Sequence, residues 1–154
     1  MDLDNVRMLE QNADFAFAPE TEGAPVANRV EPGKRPRSSM SPTLVFDRDG
    51  RLVAVLGSPG GSQIIGYVVK TLMGLLDWRL DPQQAADLPN ALNRNGSTLL
   101  EADTALAGLA EELAARGHDV EVTEMTSGLH VILAEDGALL GGADRRREGM
   151  ALGD

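Results

Sequence analysis

Cysteine is absent from the 154 residues, which removes disulfides, thiol nucleophiles and Cys-ligated metals together. Aromatic residues are scarce at 3%, which argues against a stacking surface for single-stranded nucleic acid. Basic charge is thin as well: 14 Lys and Arg stand against 24 Asp and Glu, a net charge of −10. Polyanion binders carry the opposite balance, so DNA, RNA and anionic membranes are poor partners. No apolar run reaches the roughly 18 residues of a membrane span. The opening Met1-Asp-Leu-Asp-Asn-Val-Arg-Met is polar and acidic, unlike a secretory signal. What the chain does have is a 42% hydrophobic share, enough for a real core and one domain of ordinary size.

Two regions differ in pattern. Residues 1–42 show little periodicity, and Pro19, Pro25, Pro32, Pro36 and Pro42 punctuate them. Glu20-Thr-Glu-Gly reads as a turn and Glu31-Pro-Gly-Lys-Arg-Pro as an extended basic loop. Residues 43–154 read as an α/β domain. Thr43–Phe46 and Arg51–Leu56 flank an Asp-Arg-Asp-Gly turn as a hairpin. Ile64, Ile65, Val68, Leu72, Leu75 and Leu76 form a helical stripe between Ser62 and about Trp78. Asp81-Pro-Gln-Gln84 has the form of a helix start, with an N-cap, a Pro at the first helical position and a Gln three residues after the cap. Leu106, Leu109 and Leu113 predict a further amphipathic helix ending at Gly117. Val120 and Val122 alternate as a strand, and Leu129–Ala134 with Ala138–Gly141 predict a closing hairpin. The fold class is α/β in the α+β sense: mostly antiparallel strands with helices on one face, whole or part of something larger.

Common catalytic motifs do not fit: there is no G-x-S-x-G, P-loop or H-E-x-x-H. His118 and His130 are isolated, and the scattered acidic residues read mostly as solvated faces. Two clusters stand out. Lys34-Arg-Pro-Arg-Ser-Ser-Met-Ser-Pro-Thr43 sets the hydroxyls of Ser38 and Ser39 side by side before a strand. Such hydroxyls and nearby N–H groups suit a carboxylate, although a polar loop capping the strand accounts for the same residues. Gly57-Ser-Pro-Gly-Gly61 joins a buried strand to a buried helix. Successive glycines there let a carbonyl oxygen approach backbone N–H groups, and a tight strand-to-helix turn needs them equally.

Together these segments resemble the C-terminal, small-subunit part of the γ-glutamyltranspeptidases (γ-glutamyltransferases, glutathione hydrolases). The resemblance is carried by Pro32-Gly-Lys-Arg-Pro-Arg-Ser-Ser-Met-Ser-Pro-Thr43 followed by Gly57-Ser-Pro-Gly-Gly-Ser-Gln-Ile-Ile65. Gln11-Asn-Ala-Asp-Phe15 is similar to the family's acidic segment, and Gly142-Ala-Asp-Arg-Arg-Arg147 to its closing segment. The resemblance implies part of an N-terminal-nucleophile hydrolase fold, an αββα sandwich, with no cofactor and no metal. It implies that Ser38 and Ser39 hold the α-carboxylate of a γ-glutamyl group and that Asp14, with Gln11, takes its α-ammonium. Backbone N–H groups of Gly60 and Gly61 would form the oxyanion hole. The family's Thr nucleophile opens a Thr-Thr-His-like segment upstream of the acidic motif, and no Thr of these 154 residues has that setting.

The expectation is therefore the C-terminal portion of a γ-glutamyltransferase or glutathione hydrolase, inactive as this chain alone. Its substrates would be glutathione and related γ-glutamyl amides, and its partner the large subunit of the same precursor. Intact relatives are periplasmic or secreted, which the family resemblance extends to the whole protein. Two alternatives stand beside it. One is a related N-terminal-nucleophile acylase acting on another amide. The other is a non-catalytic module that binds small carboxylates or docks onto a separate partner.

Overall fold

The structure, a computed structural model, describes residues 13–14, 16–18 and 20–153. The early segment carries four two-residue strands, β1 (Ala13–Asp14), β2 (Glu20–Thr21), β3 (Ala24–Pro25) and β4 (Arg37–Ser38). β2 and β3 close a tight hairpin, and β1 pairs antiparallel with β4. The predicted turn at Glu20–Gly23 is the hairpin loop: Glu22 and Gly23 both have positive φ, 53° and 77°. A two-residue loop needs that to match the twist of its strands.

The main sheet is built from β5 (Thr43–Phe46), β6 (Leu52–Gly57), β10 (His130–Glu135) and β11 (Ala138–Ala143). Its order is β11-β10-β6-β5, with every neighbour antiparallel. Between β6 and β10 lie α1 (Ile64–Leu76), α2 (Pro82–Asp87), β7 (Ala91–Asn93), β8 (Thr98–Glu101), α3 (Ala110–Ala115) and β9 (Val120–Thr123). A single 3-10 turn, Gly61–Gln63, leads into α1. Register sets Val45 beside Ala54 and Ala54 beside Leu133, while Leu56 lies beside Val131. That face packs on Ile64, Tyr67, Val68 and Leu75 of α1 and on Ala85 and Ala86 of α2. Gly142 of β11 lets α2 approach closely, because a Cβ there would lie 2.4 Å from the Pro82 carbonyl carbon. The opposite face aligns Leu44, Val55 and Ile132, and both Leu44 and Ile132 are exposed.

The expected helix start at Asp81 is present in full. Asp81 Oδ1 accepts the Gln84 N–H at 2.8 Å, and Gln84 Oε1 accepts the Asp81 N–H at 3.3 Å. The helix expected across Leu106, Leu109 and Leu113 is weaker than its apolar spacing suggests. It is a 3-10 turn, Ala105–Leu109, followed by the short α3, and neither buries a residue. Gly108 sits inside the 3-10 stretch, where its backbone freedom disfavours helix, and the leucines find no deep partner. β7 and β8 are not among the elements that the sequence predicts. These form an antiparallel hairpin, and β8 pairs in parallel with β9 to complete a second, three-stranded sheet.

Candidate active site

Antiparallel order in the main sheet brings several chain segments to one end. The start of β5, the end of β6, the start of β10 and the end of β11 are neighbours there, since Thr43 pairs with Leu56, Gly57 with His130, and His130 with Ala143. Both clusters singled out in the sequence emerge at this end. The Ser38–Pro42 segment leads into β5, and Gly57–Gly61 leaves β6.

The β1–β4 ribbon pairs Ala13 with Ser38 and Asp14 with Arg37, so the acidic motif and the serine loop run side by side. Gln11 lies outside the described residues. Ser38 is exposed and its Oγ accepts the Met40 N–H at 3.1 Å. Ser39 is half-buried, and its carbonyl accepts the Ser41 hydroxyl at 3.0 Å. Thr43 Oγ1 donates in turn to the Ser41 carbonyl at 3.0 Å. These side chain to backbone bonds hold an otherwise aperiodic loop in one path.

In the glycine loop, the Gly60 N–H donates to Ser58 Oγ at 3.0 Å and the Gly61 N–H to the Pro59 carbonyl at 2.9 Å. Both amides thus have acceptors inside the loop. The two glycines are required for different reasons. Gly61 is buried at φ 63°, a left-handed conformation that side chains resist. Gly60 has no such constraint, but a Cβ there would lie 2.4 Å from the Tyr67 ring. Burial, with the Glu101 charge adding, pushes the Tyr67 phenol up to about 12, so it stays protonated and donates to Gln63 Oε1.

Behind the loop lies a buried polar network. Arg146 donates to both oxygens of Glu101, to Asp144 Oδ1 at 3.0 Å, and to the carbonyls of Ala86, Asp87 and Leu88. Asp144 Oδ2 accepts from the Ser127 hydroxyl and from the Leu129 N–H. Burial opposes ionisation of Asp144, but these donors and Arg146 outweigh it and hold its carboxyl below the ordinary range. Asn90 donates to Glu101 and to Ser127 Oγ. The network reaches the glycine loop through Ser58, whose hydroxyl donates to the Ser127 carbonyl. Asp144 and Arg146 lie within Gly142–Arg147, the segment similar to the family's closing segment. Glu101, Asn90 and Ser127 were not anticipated, because nothing local distinguishes them.

Lys70 shares two of these acceptors with Arg146, donating to the Ala86 and Leu88 carbonyls. It lines an apolar groove of about 460 Å³ with Val69, Met73, Trp78, Leu88 and Leu92. Among the described residues, no three His, Asp or Glu side chains converge to hold a metal ion, and no helix is long and apolar enough to cross a membrane.

Known proteins match this arrangement in fold and in sequence. The fold is similar to that of gamma-glutamyltranspeptidase from Pseudomonas nitroreducens complexed with L-DON, at a TM-score of 0.75 and 28% identity. That match covers 96% of this chain and 79% of the other. The chain is 38% identical over 135 residues to the glutathione hydrolase proenzyme of Pseudomonas aeruginosa, covering 82% of this chain and 23% of that protein. It is 33% identical over 145 residues to the acylase ACY 1 proenzyme of a Pseudomonas species (strain V22), covering 92% of this chain and 25% of the relative. These relationships define an N-terminal-nucleophile hydrolase domain, a mixed α/β sandwich component. The model of the gamma-glutamyltranspeptidase family matches residues 6–154, and the chain belongs to that family.

Proposed function

We infer that these residues supply the glutamyl-binding loop and the oxyanion donors of a γ-glutamyltransferase or glutathione hydrolase. In this reading a Thr nucleophile and a large-subunit segment come from outside the 154 residues. Residues 1–42 act as the substrate-loop segment and 43–154 as the domain that carries it. The observation that carries the reading is that the Ser38–Pro42 segment, which follows the β1–β4 ribbon, and the Gly57–Gly61 loop join the main sheet at the same end.

The chemistry follows from the groups. A γ-glutamyl donor carries an α-carboxylate and an α-ammonium at one end and the scissile amide at the other. Ser38 and Ser39 hold the carboxylate, and Asp14 with Gln11 holds the ammonium. Attack by the Thr hydroxyl on the γ-carbonyl carbon, with the Thr amine taking its proton, creates an oxyanion. Gly60 and Gly61 N–H groups receive that charge, which strengthens their bonds only as the transition state forms. The oxyanion collapses, the C–N bond breaks as the departing amine takes the proton back from the Thr ammonium, and water or an acceptor amine then takes the acyl group from the Thr ester.

The test is kinetic, in this chain extended upstream to restore both the Thr nucleophile and the large subunit. Ser38→Ala and Ser39→Ala each remove a hydrogen bond to a charged group, roughly 1.5–3 kcal/mol, or about 10- to 150-fold. The increase is expected in KM for γ-glutamyl anilides, because the contact is remote from the reacting atoms. Unchanged KM in both variants refutes the carboxylate clamp. A second reading, an acylase acting on another amide, is favoured by the ACY 1 similarity over 92% of the chain. Turnover of a glutaryl anilide, which lacks the α-amino group, as fast as its γ-glutamyl counterpart would select it.

A further inference from the structure

Two loops far apart in sequence are fastened together at the proposed oxyanion site by one hydroxyl. Ser58 Oγ donates to the Ser127 carbonyl and accepts the Gly60 N–H at 3.0 Å. The direction of both bonds is forced. A carbonyl only accepts, so the single Ser58 proton points at Ser127, and the Ser58 lone pairs are left for Gly60. Ser127 is itself anchored: it is fully buried, its hydroxyl is bound to Asp144, and Asp144 is bound to Arg146. The loops also touch through apolar atoms. A Cβ at Gly128 would lie 3.0 Å from the Pro59 ring and 2.6 Å from Arg147 Cδ.

We propose that Ser58 is a positioning residue, whose hydroxyl ties the glycine loop to Ser127 and holds the Gly60 N–H in one place until the developing oxyanion, a stronger acceptor, draws it across. This rests on the reading of Gly60 and Gly61 as the oxyanion donors. At rest the Gly60 N–H is satisfied by a neutral hydroxyl. A neutral substrate carbonyl competes with that hydroxyl on nearly equal terms. An oxyanion is the far stronger acceptor and draws the N–H across as charge builds. The donor is thereby kept oriented, and its extra bond strength appears only in the transition state. Loss of the hydroxyl unties the loop from Ser127, so the Gly60 N–H no longer starts from one fixed position.

The experiment uses the same extended chain, with Ser58→Ala, Ser58→Cys and Ser58→Thr compared with the parent. Ser58→Ala and Ser58→Cys are expected to lower kcat for γ-glutamyl anilides about tenfold or more while KM stays within about twofold. Ser58→Thr retains the hydroxyl and is expected to keep kcat within about threefold. Hydrogen exchange followed by mass spectrometry is expected to speed up in the peptide containing Gly60 for the Ala and Cys variants alone. The proposal is overturned by an unchanged or increased kcat in both the Ala and Cys variants, by a loss that falls on KM, or by a Thr variant as impaired as Ala. Unchanged exchange at Gly60 overturns it as well, and that measurement depends on no assumption about substrate. Failure of the γ-glutamyl reading shows up separately, in Ser38→Ala and Ser39→Ala variants whose KM does not move.

Discussion

Arg146 offers the sharpest test of what holds this end of the molecule together. Its guanidinium faces two carboxylates, Glu101 and Asp144, of which Glu101 is 6% exposed and Asp144 1%. Arg146→Met keeps the length of the stem but strands both carboxylates in a poorly solvated site. Removing one member of such a buried pair costs about 3–5 kcal/mol, because the remaining charge has neither water nor partner. For a chain of this size each kcal/mol lowers Tm by about 2–4 °C, so the expected drop is about 6–20 °C. Urea unfolding at low protein concentration, followed by far-ultraviolet circular dichroism, measures the loss directly. Arg146→Lys keeps the charge but not the fork that reaches Glu101, Asp144 and three carbonyls in different directions. It is expected to lose roughly half as much. Combining Arg146→Met with Glu101→Gln removes one stranded charge, so the double variant should be more stable than the sum of the two losses by about 0.5–3 kcal/mol. A loss for Arg146→Met no larger than the roughly 0.5 kcal/mol of an ordinary surface change would refute the reasoning.

Gly60→Ala drives a methyl group into the Tyr67 ring and should lower both Tm and kcat, while Gly61→Ala should cost about 1–2 kcal/mol through its left-handed backbone; urea midpoints and initial rates check both. Burial, with Arg146 adding, lowers the Lys70 ammonium from 10.5 to about 8. The unfolded chain therefore binds more protons than the folded one between those values, and stability should rise with pH across that window. Lys70→Met should flatten the rise in urea midpoint, and Arg146 still satisfies the Ala86 and Leu88 carbonyls. The outer sheet face exposes Leu44, Phe46, Ile132 and Leu139, so the chain alone should bind a hydrophobic dye and self-associate. A monodisperse chain without dye binding contradicts that, as does dye binding that persists in the extended chain.

What could be read in the sequence was local. The Thr43–Leu56 hairpin announces itself through alternation around Asp47-Arg-Asp-Gly, and Asp47 Oδ1 does accept the N–H groups of Asp49 and Arg51 at 2.9 Å each. Asp81-Pro-Gln-Gln84 contains its whole capping box within four residues. β7 and β8 were harder, since Ala91-Leu-Asn is too short for periodicity and Thr98-Leu-Leu-Glu fits helix and strand alike. A signal was nevertheless present in Asn95-Gly96, a strong hairpin dipeptide. Asn95 has φ 65°, and Asn93 braces the turn by accepting the Asn95 N–H at 2.9 Å. The parallel pairing of β8 with β9 is non-local and left no mark on either segment.

The same division runs through the site. Ser38, Ser39, Gly60 and Gly61 were visible because each cluster is contiguous and each demands unusual residue types. Glu101 and Asp144 were hidden among 24 acidic residues read mostly as solvated. Their burial depends on Arg146, and an acid is worth burying only where folding brings a cation and N–H donors to meet it. The network is therefore a property of the tertiary fold, and it connects the two kinds of information. Ser58 lies in the cluster that was legible, yet its acceptor is the carbonyl of Ser127, which was not. A glycine loop can be recognised from five residues; the carbonyl that anchors its serine belongs to Ser127, which an aspartate near the far end of the chain holds in turn.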